Sequence, residues 1–407
     1  MSFLNKVWVG ENRNYLIAIL FASLAASIPL PRNYSTVLTI LLFLIGISTV
    51  KKPWKYSVLL RFYLPFILVQ IVGLLWSTNY EEAVTNMERK LPIILIPLIF
   101  SLVPGGLEKI AHYSRLSFIA ISFILLSYSL VAAGLSYRGL YEYKIFFYHD
   151  LANQVGLSAL YLSLYFVFSI ALIFDLWLSG YLNARLKNAT ICLVLFFVLG
   201  AILMASRISL IALFILFVFS IIYYRKNARI ALLRTGFLIS VLLVTAAVMF
   251  IPILTERLKE AINRNNNFSF ELVGGGTSFR WAKWESGTKL IQQQPLFGFG
   301  TGDVQDVLDA QYVKDGHPQL LHYDVHNQYF QTFIAQGLLG FICLIVLLLA
   351  PILSGNRSYL TYCFVLIFSV SILTESMLEV QKGVIFFAFF SSLLAFQGQN
   401  KTEVGFT

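Results

Sequence analysis

Long apolar stretches joined by short polar connections make up most of the chain before residue 255 and again after residue 325. A helix needs about 20 apolar residues to cross the ~30 Å hydrocarbon layer of a bilayer. Barrel strands alternate apolar and polar positions, so runs this continuous indicate helices. We therefore predict an all-α integral membrane protein with about 12 transmembrane helices. The predicted spans are approximately 14–30, 34–50, 56–76, 90–104, 115–135, 152–178, 189–205, 207–224, 230–254, 326–353, 358–374 and 380–396.

One polar segment, which we term the polar loop, interrupts this pattern from about Thr255 to Val325. It separates residues 1–254, with the first nine predicted spans, from residues 326–407, with the last three spans and the C-terminus. Irregular backbone and polar side chains are tolerated outside the hydrocarbon layer and excluded from it. We expect recognition and chemistry in the loop 255–325 and at the span ends beside it, because binding residues concentrate in loops on a rigid scaffold.

Composition and charge support a membrane protein and predict its orientation. Charged residues are 12% of the chain, against about 25% in soluble proteins, and the mean hydropathy is +0.76. The net charge of +10 does not indicate a nucleic-acid partner, because Lys and Arg in the short connections lie mostly on one side of the predicted membrane. With residues 1–13 in the cytoplasm, that side is the cytoplasmic one, as the positive-inside rule requires. Both termini are then cytoplasmic, the polar loop is extracytoplasmic, and residues 78–90 are expected to form an amphipathic helix at the outer surface.

The polar loop has a pattern of its own. Gly274–Gly276 are followed by Thr277 or Ser278 as a helix N-cap, and residues 279–293 show helical spacing. Pro295 and the glycines after it are expected to end this helix. None of the three cysteines lies in the loop, so no disulfide is expected to stabilise it.

Two arginines beside apolar segments are candidate anion-binding residues. Arg207 lies in the break Ser206-Arg207-Ile-Ser209 between two predicted spans, on the side where arginine is disfavoured. It either snorkels to the interface or binds a phosphate or pyrophosphate through its bidentate guanidinium. Arg280 begins the loop helix, where it is either a solvated charge or part of an anion site with the backbone amides after Gly274–Gly276.

Three histidines, His317, His322 and His326, lie near the end of the polar loop. A metal site formed by His322, Asp324 and His326 is one alternative, but no further ligand has a diagnostic spacing, so we expect no metal. The other alternative is a single general base at the start of the next helix. Neutral imidazole can accept a proton from a hydroxyl group near pH 7.

Three blocks follow one another around the polar loop. They are Ser206-Arg207-Ile-Ser-Leu, then Arg280-Trp-Ala-Lys-Trp with Gln294-Pro-Leu-Phe-Gly-Phe-Gly-Thr-Gly, then His326-Asn-Gln-Tyr-Phe-Gln-Thr-Phe-Ile-Ala-Gln-Gly-Leu-Leu-Gly. Their order and spacing resemble the O-antigen ligase and polymerase superfamily of polytopic membrane glycosyltransferases. The resemblance covers roughly residues 190–345 by motif, and the remainder of the chain by span count alone.

The resemblance implies a fold of about twelve helices, no cofactor, and a glycan donor linked to a lipid diphosphate. It implies that Arg207 and Arg280 hold the donor diphosphate and that His326 activates the acceptor hydroxyl. It also implies a location in the bacterial inner (cytoplasmic) membrane, with the active site on the periplasmic side.

The predicted function is transfer of a glycan from undecaprenyl diphosphate to a hydroxyl group of lipid A-core, without a metal and with inversion at the anomeric carbon. A polysaccharide polymerase and a protein O-oligosaccharyltransferase of the same superfamily remain alternatives, with another glycan or a protein as acceptor. A transporter or lipid flippase is a distant alternative, since coupling needs ionisable residues inside spans and essentially only Asp175 is found there. The predicted partners are the lipid-linked donor, the acceptor and membrane lipids.

Overall fold

The computed structural model describes residues 11–49, 58–103, 107–140, 142–180, 187–226, 234–242, 245 and 277–404. These residues are helical or irregular and contain no strand, which confirms the all-α prediction. Three helices are long and apolar enough to cross a bilayer, Leu107–Gly139, Ala159–Leu178 and Gln328–Leu353, and shorter apolar helices accompany them. The span count, the division into three parts and the topology remain predictions.

The α-helices have the following bounds. They are α1 (Glu11–Ser27), α2 (Arg32–Thr49), α3 (Val58–Val72), α4 (Tyr80–Lys90), α5 (Pro92–Leu102), α6 (Leu107–Leu140), α7 (Tyr148–Asn153), α8 (Ala159–Leu178), α9 (Lys187–Leu203), α10 (Arg207–Tyr223), α11 (Thr277–Gln293), α12 (Val304–Lys314), α13 (Gln328–Leu353), α14 (Tyr359–Ser371) and α15 (Gln381–Val404). Most of the predicted span 230–254, and the first part of the polar loop with Gly274–Gly276, lie outside the described residues.

Two predicted spans have different bounds in the structure. Helix α6 extends well beyond the predicted 115–135, because the polar residues at both of its ends also adopt helical geometry. The predicted span 152–178 is divided into α7 and α8 by a turn in which Gly156 has a φ of +66°. Ser158 then caps α8, and its hydroxyl accepts a hydrogen bond from Tyr161 N at 3.4 Å.

Helix α8 forms the centre of the helical bundle. All of its residues are buried, and it packs against α6, α9, α10 and α14. Aromatic rings fill the space between α8, α14 and α15, with the ring of Phe168 centred 4.6 Å from that of Phe390 and 5.6 Å from that of Phe364. In lipid such close packing, rather than exclusion of water, holds helices together.

Contacts along α8 and α10 show that these two helices run in the same direction. The hydroxyls of Ser163 and Ser209 lie 2.6 Å apart near their starts, and the rings of Phe174 and Phe217 are 5.4 Å apart further along. The starts of α8 and α10 therefore lie at one end of the bundle, which we term the loop end.

Helix α14 runs in the opposite direction, and its last turn reaches the loop end. Its first residue, Tyr359, contacts Ser220 in the last turn of α10 at 2.7 Å between hydroxyl oxygens. Just beyond α14, the carbonyl of Ile372 accepts a hydrogen bond from Gln328 N, the first residue of α13, at 2.9 Å. The start of α13 thus joins the starts of α8 and α10.

The described part of the polar loop, residues 277–325, packs on this end of the bundle. Helix α11 confirms the predicted helix 279–293 and ends just before Pro295, as expected. It contacts α12 and α13, and Lys289 Nζ and Ser286 Oγ both bond to the carboxylate of Asp315, at 2.9 and 2.5 Å. A small core joins the three helices, formed by Ala282, Leu290, Val304, Leu308, Tyr312, Leu320, Val325, Ile334 and Ala335.

The glycine-rich segment after Pro295 lies against a kink in α13, and we term residues 295–302 and 334–338 the glycine clasp. The kink is at Gly337, whose φ of 61° and ψ of −156° are not helical. Backbone bonds cross the clasp from Phe299 N to Ile334 O and from Leu338 N to Pro295 O, both at 2.9 Å. The kink therefore frees backbone groups of α13 that the glycine segment satisfies.

Glycine is required in this clasp because two backbones touch. A Cβ atom on Gly337 would overlap the carbonyl of Leu296, and one on Gly298 would lie 2.5 Å from the carbonyl of Ala335. Both glycines also have positive φ values, 61° and 68°, which side chains disfavour. The Pro-x-x-Gly-x-Gly and Gly-x-x-Gly patterns of the sequence are thus two halves of one packing contact.

The clasp is also tied to the predicted amphipathic helix 78–90, which the structure has as α4. The buried carboxylate of Asp303 accepts hydrogen bonds from Thr78 N, at 2.8 and 3.0 Å, and from Asn79 N at 2.7 Å. At the other end of α4, buried Lys90 donates to Glu379 at 2.6 Å. Charged groups so well bonded anchor the polar loop on the bundle.

Candidate functional site

Arg207 is the first residue of α10 and lies at the loop end, partly buried. The chain enters the helix through Ala205, whose φ of +48° makes a sharp turn out of α9. The hydroxyl of Ser209 donates to that of Ser206 at 3.0 Å and lies 2.6 Å from that of Ser163 in α8. The turn that carries Arg207 is therefore held on the central helix.

Arg280 is in the first turn of α11, partly buried, and its Nε is buried without a hydrogen-bond partner among the described residues. One turn further along, Lys283 is only 3% exposed. Its Nζ lies over the ring of Tyr323, 4.4 Å from the ring centroid. Residues three apart on a helix share a face, so α11 presents two cations in one direction.

His326 lies two residues before the start of α13 and has a left-handed backbone, with a φ of +49°. Such a conformation costs on the order of 1 kcal/mol or more for a residue with a side chain. The next residue, Asn327, caps α13, and its side chain accepts hydrogen bonds from Tyr329 N at 2.9 Å and Phe330 N at 3.2 Å. The imidazole Nδ1 of His326 lies against Oδ1 of Asp324, and both side chains are about one-quarter exposed.

A second carboxylate, that of Glu375, enters the same region from the segment after α14. Its ionisation is influenced by His326, Asp324, Arg280 and Lys283, so these five side chains lie within electrostatic range of one another. We term them the charged cluster. The structure thus brings two of the three predicted site residues, Arg280 and His326, into one group.

Arg207 is linked to this group indirectly, through the start of α8. The phenol of Tyr161, in the first turn of that helix, interacts with both Glu375 and Asp324. Ser163, two residues along, contacts Ser209 in the first turn after Arg207. All three predicted site residues therefore lie at the loop end of the bundle.

The charged cluster shifts the pKa values of its members in different directions. The pKa of Lys283 is lowered to about 8, chiefly by burial; Asp324 opposes this effect and Arg280 adds to it. Burial also raises the pKa of Glu375. For Asp324 burial acts in the same sense, but the contact with His326 outweighs it and the pKa is lowered. Asp324 is therefore the carboxylate that keeps its negative charge most firmly.

Several buried polar atoms around the charged cluster have no hydrogen-bond partner within the described part of the chain. They are Arg280 Nε, Tyr161 OH, Trp284 Nε1, Gln331 Oε1, Thr374 Oγ1, Ser376 Oγ and His326 Nδ1, the last of which touches Asp324 outside hydrogen-bond geometry. In folded proteins more than about 90% of buried polar groups are paired, so such a concentration is unusual. Unpaired donors and acceptors of this kind are suited to a polar ligand.

The three neighbouring histidines are in different surroundings. The side chain of His322 is 88% exposed, and its Nδ1 lies 3.3 Å from Oδ2 of Asp309, whereas His326 contacts Asp324. His317 starts a short 3₁₀ turn. Within the described residues no group of three His, Cys, Asp or Glu side chains is arranged to hold a metal ion. The metal alternative for His322, Asp324 and His326 gains no support from this arrangement.

Sequence reasoning did not identify Lys283, Glu375 and Tyr161 as parts of the site. Lys283 had a signal, because it lies three residues after Arg280 and so shares its face of the helix. Glu375 had a weaker one, as an acidic residue just beyond a predicted span. Tyr161 had none, because an isolated tyrosine in an apolar run is indistinguishable from a packing residue.

Asp175, the residue that left a transporter open as an alternative, has a structural partner. Its carboxylate lies 2.8 Å from Arg115 of α6, and Arg115 also donates to Gln397 of α15 at 2.7 Å. Both members of the pair are nearly buried. A pair bonded in this way links three helices and gives no indication of a transport path.

Comparisons with known proteins match the part of the chain that contains Arg207, Arg280 and His326. Residues 192–345 match the family model described as O-Antigen ligase. An uncharacterized protein of Haemophilus influenzae is 30% identical over 132 residues, which are 29% of this chain and 32% of that protein, so the chain spans about a third of that relative's length. The family match begins before Arg207, ends after the glycine clasp and confirms the resemblance. Residues 192–345 of this chain are therefore similar to the O-antigen ligase family.

Proposed function

We propose that this protein is a glycosyltransferase of the bacterial inner membrane that transfers a glycan from undecaprenyl diphosphate to an acceptor hydroxyl on the periplasmic side. The acceptor is lipid A-core, as in an O-antigen ligase. The observation that carries this proposal is the charged cluster itself, in which Arg280 and a carboxylate-paired His326 lie together at the loop end.

The arginines are assigned to the donor. A diphosphate leaving group develops negative charge as its bond to the sugar breaks, and fixed cations lower the free energy of that state. Arg280 and Arg207 each offer a planar fork that binds phosphate oxygens in pairs. The unpaired Nε of Arg280 supports this role. With Lys283 beside it, α11 contributes positive charge that a metal ion supplies in other phosphate sites.

His326 is assigned to the acceptor. Its imidazole removes the proton of the acceptor hydroxyl while the oxygen forms a bond to the anomeric carbon. The bond from that carbon to the diphosphate breaks, and the diphosphate leaves with the electron pair. Attack from the face opposite the leaving group inverts the anomeric configuration.

A pair of histidine variants tests this assignment. We expect His326→Ala to lower the rate of glycan transfer by about 10²-fold or more, because general-base catalysis contributes 10²- to 10⁴-fold. His322→Ala is the matched control and should retain full activity, since that imidazole is 88% exposed and pairs with Asp309. Transfer is measured with full-length protein in detergent, using lipid-linked glycan and lipid acceptor extracted from the membranes of the producing cells.

Donor retention distinguishes the role of the histidine from a general loss of structure. His326→Ala should still bind the lipid-linked glycan, since the residue acts on the acceptor. Near-normal transfer by His326→Ala, or loss of transfer in His322→Ala alone, would show that the base is wrongly assigned.

A further inference from the structure

We propose that Asp324 is a positioning residue that orients the imidazole of His326 and sets which of its nitrogens accepts the proton of the acceptor. The inference deepens the proposed function and rests on it. Asp324 lies two residues before the histidine and belongs to none of the three blocks that resemble the superfamily.

The contact between these two side chains carries the inference. Nδ1 of His326 lies against Oδ1 of Asp324, and each side chain is largely withdrawn from water. A carboxylate at Nδ1 favours the tautomer with the proton on that nitrogen. The lone pair of Nε2 is then available on the opposite edge of the ring, as in other sites where a carboxylate orients a catalytic histidine.

The backbone alone does not determine this orientation. The left-handed φ of His326 and the cap formed by Asn327 hold the Cα atom in place. The side-chain torsions are left open by those contacts, so a side-chain partner is needed to select one ring position. Asp324 is that partner.

The charge of Asp324 is itself stabilised by its surroundings. Lys283 of α11 acts on the carboxylate electrostatically, and contacts with the histidine hold its pKa below the ordinary value. The other carboxylate facing the imidazole, that of Glu375, has its pKa raised by burial. Of the two acids near His326, Asp324 is thus the one suited to remain ionised and to accept a hydrogen bond from Nδ1–H.

During transfer one proton moves from the acceptor hydroxyl to the imidazole and then to water. The acceptor hydroxyl loses its proton to Nε2 as the bond between its oxygen and the anomeric carbon forms. The imidazole becomes a cation, stabilised by the carboxylate of Asp324, which stays unprotonated. After the diphosphate has left, the imidazolium releases the proton to water and the base is restored.

The polar loop contains a natural control for this arrangement. Asp309 and His322 form a second aspartate–histidine pair, with 3.3 Å between Oδ2 and Nδ1, but that imidazole is 88% exposed. The two pairs have the same chemistry and lie in the same loop. A general effect of removing a carboxylate beside a histidine would appear in both.

The experiment compares Asp324→Asn with Asp309→Asn in the same transfer assay. We expect Asp324→Asn to lower the maximal rate by about 10²-fold and Asp309→Asn to leave it unchanged. The acidic limb of the pH–rate profile should move to lower pH in Asp324→Asn alone, because an amide does not stabilise an imidazolium. The groups facing the imidazole besides Asp324 are Glu375, Arg280, Lys283 and Tyr161, and all of them are unchanged in both variants.

A measurement without catalysis supports the kinetic one. Nitrogen NMR of ¹⁵N-histidine-labelled protein should assign the Nδ1-protonated tautomer to His326, identified by its loss in His326→Ala, and a shift toward the other tautomer in Asp324→Asn. Asp324→Glu, which keeps the carboxylate, should restore part of the rate if the asparagine variant folds poorly. An unmoved acidic limb together with an unchanged tautomer would overturn the inference.

The two proposals fail separately. If His326→Ala retains transfer, the histidine is not the base and the proposed function falls. If His326→Ala is inactive while Asp324→Asn transfers normally, the proposed function stands and Asp324 has no positioning role.

Discussion

Residues 280–302 and residues 326–340 each contribute to two regions of this molecule, the charged cluster and the glycine clasp. In the clasp, backbone meets backbone, the amides and carbonyls are paired across the contact, and side chains are excluded by space. In the charged cluster, side chains of both signs meet and several buried polar atoms have no partner among the described residues. In both ranges the later residues, 295–302 and 334–338, pack against each other. The earlier residues, which include Arg280 and His326, are available for chemistry.

The contrast between the glycine clasp and the charged cluster bears on how a glycine-rich motif beside an arginine is interpreted. Glycine runs often suggest a phosphate-binding loop, in which backbone amides face the ligand. Here the amides of Phe299 and Gly300 donate to the carbonyls of Ile334 and Ala335, both at 2.9 Å, so they are already committed to α13. These glycines hold the polar loop in place, and the proposed binding of an anion falls to the arginines.

The largest expected effect comes from the clasp. Gly337→Ala should destabilise the protein by about 3–5 kcal/mol, because the new methyl group would overlap the Leu296 carbonyl at a positive φ. Gly316→Ala is the control, since Gly316 also has a positive φ, 76°, with open space around it. It should lose only about 1 kcal/mol. Thermal unfolding in detergent measures both, and equal losses would mean that the steric argument is wrong.

An intermediate effect is expected in the charged cluster. Arg280→Ala and Arg207→Ala should each reduce glycan transfer by about 10²-fold while the thermal stability stays close to that of the unchanged protein. Arg280→Lys should recover little, because a point charge does not replace the bidentate fork. Arg89→Ala is the control, an arginine of α4 that is 39% exposed and pairs with Glu82 at 3.1 Å. A transfer rate in Arg280→Ala as high as in Arg89→Ala would remove Arg280 from the donor site.

The smallest expected effect is on how the free energy of unfolding changes with pH, because Lys283 is buried in the charged cluster. The folded protein releases the proton of Lys283 near pH 8, whereas the unfolded chain keeps it to about pH 10.5. The unfolded state therefore binds more protons between these values, and the free energy of unfolding should rise with pH there, by at most about 3 kcal/mol. Lys283→Met should flatten this rise, as measured by thermal unfolding from pH 7.5 to 10.5.

Lys289 provides the comparison for that measurement. It lies one and a half turns further along α11 and bonds to Asp315, and this bond raises its pKa. Lys289→Met should leave the slope between pH 8 and 10.5 as it is, because a lysine with a raised pKa loses its proton only above that range. A flattened slope in Lys289→Met as well would show that the rise has another origin.

Much of the site could be predicted from the sequence. Arg207, Arg280 and His326 were identified from their positions beside apolar runs and from the order of the blocks, and the structure has all three at the loop end. The sequence indicated Asp324 only as a member of the metal-site alternative with His322 and His326. Glu375 was missed because it reaches the cluster from a different span, and a contact between distant parts of a chain leaves no local pattern.

The helical class, the extent of the apolar segments and the candidate charged residues follow from the sequence alone, because span length and helical spacing are properties of neighbouring residues. It also marked the glycines without revealing what they touch. Three contacts are visible only in the tertiary structure. Gly298 packs against the kink of α13. His326 contacts Asp324 whereas His322 contacts Asp309, and Glu375 joins the charged cluster from a distant segment. The physical reason is that each of these contacts depends on how helices cross and how the polar loop docks, which is set by packing over the whole bundle.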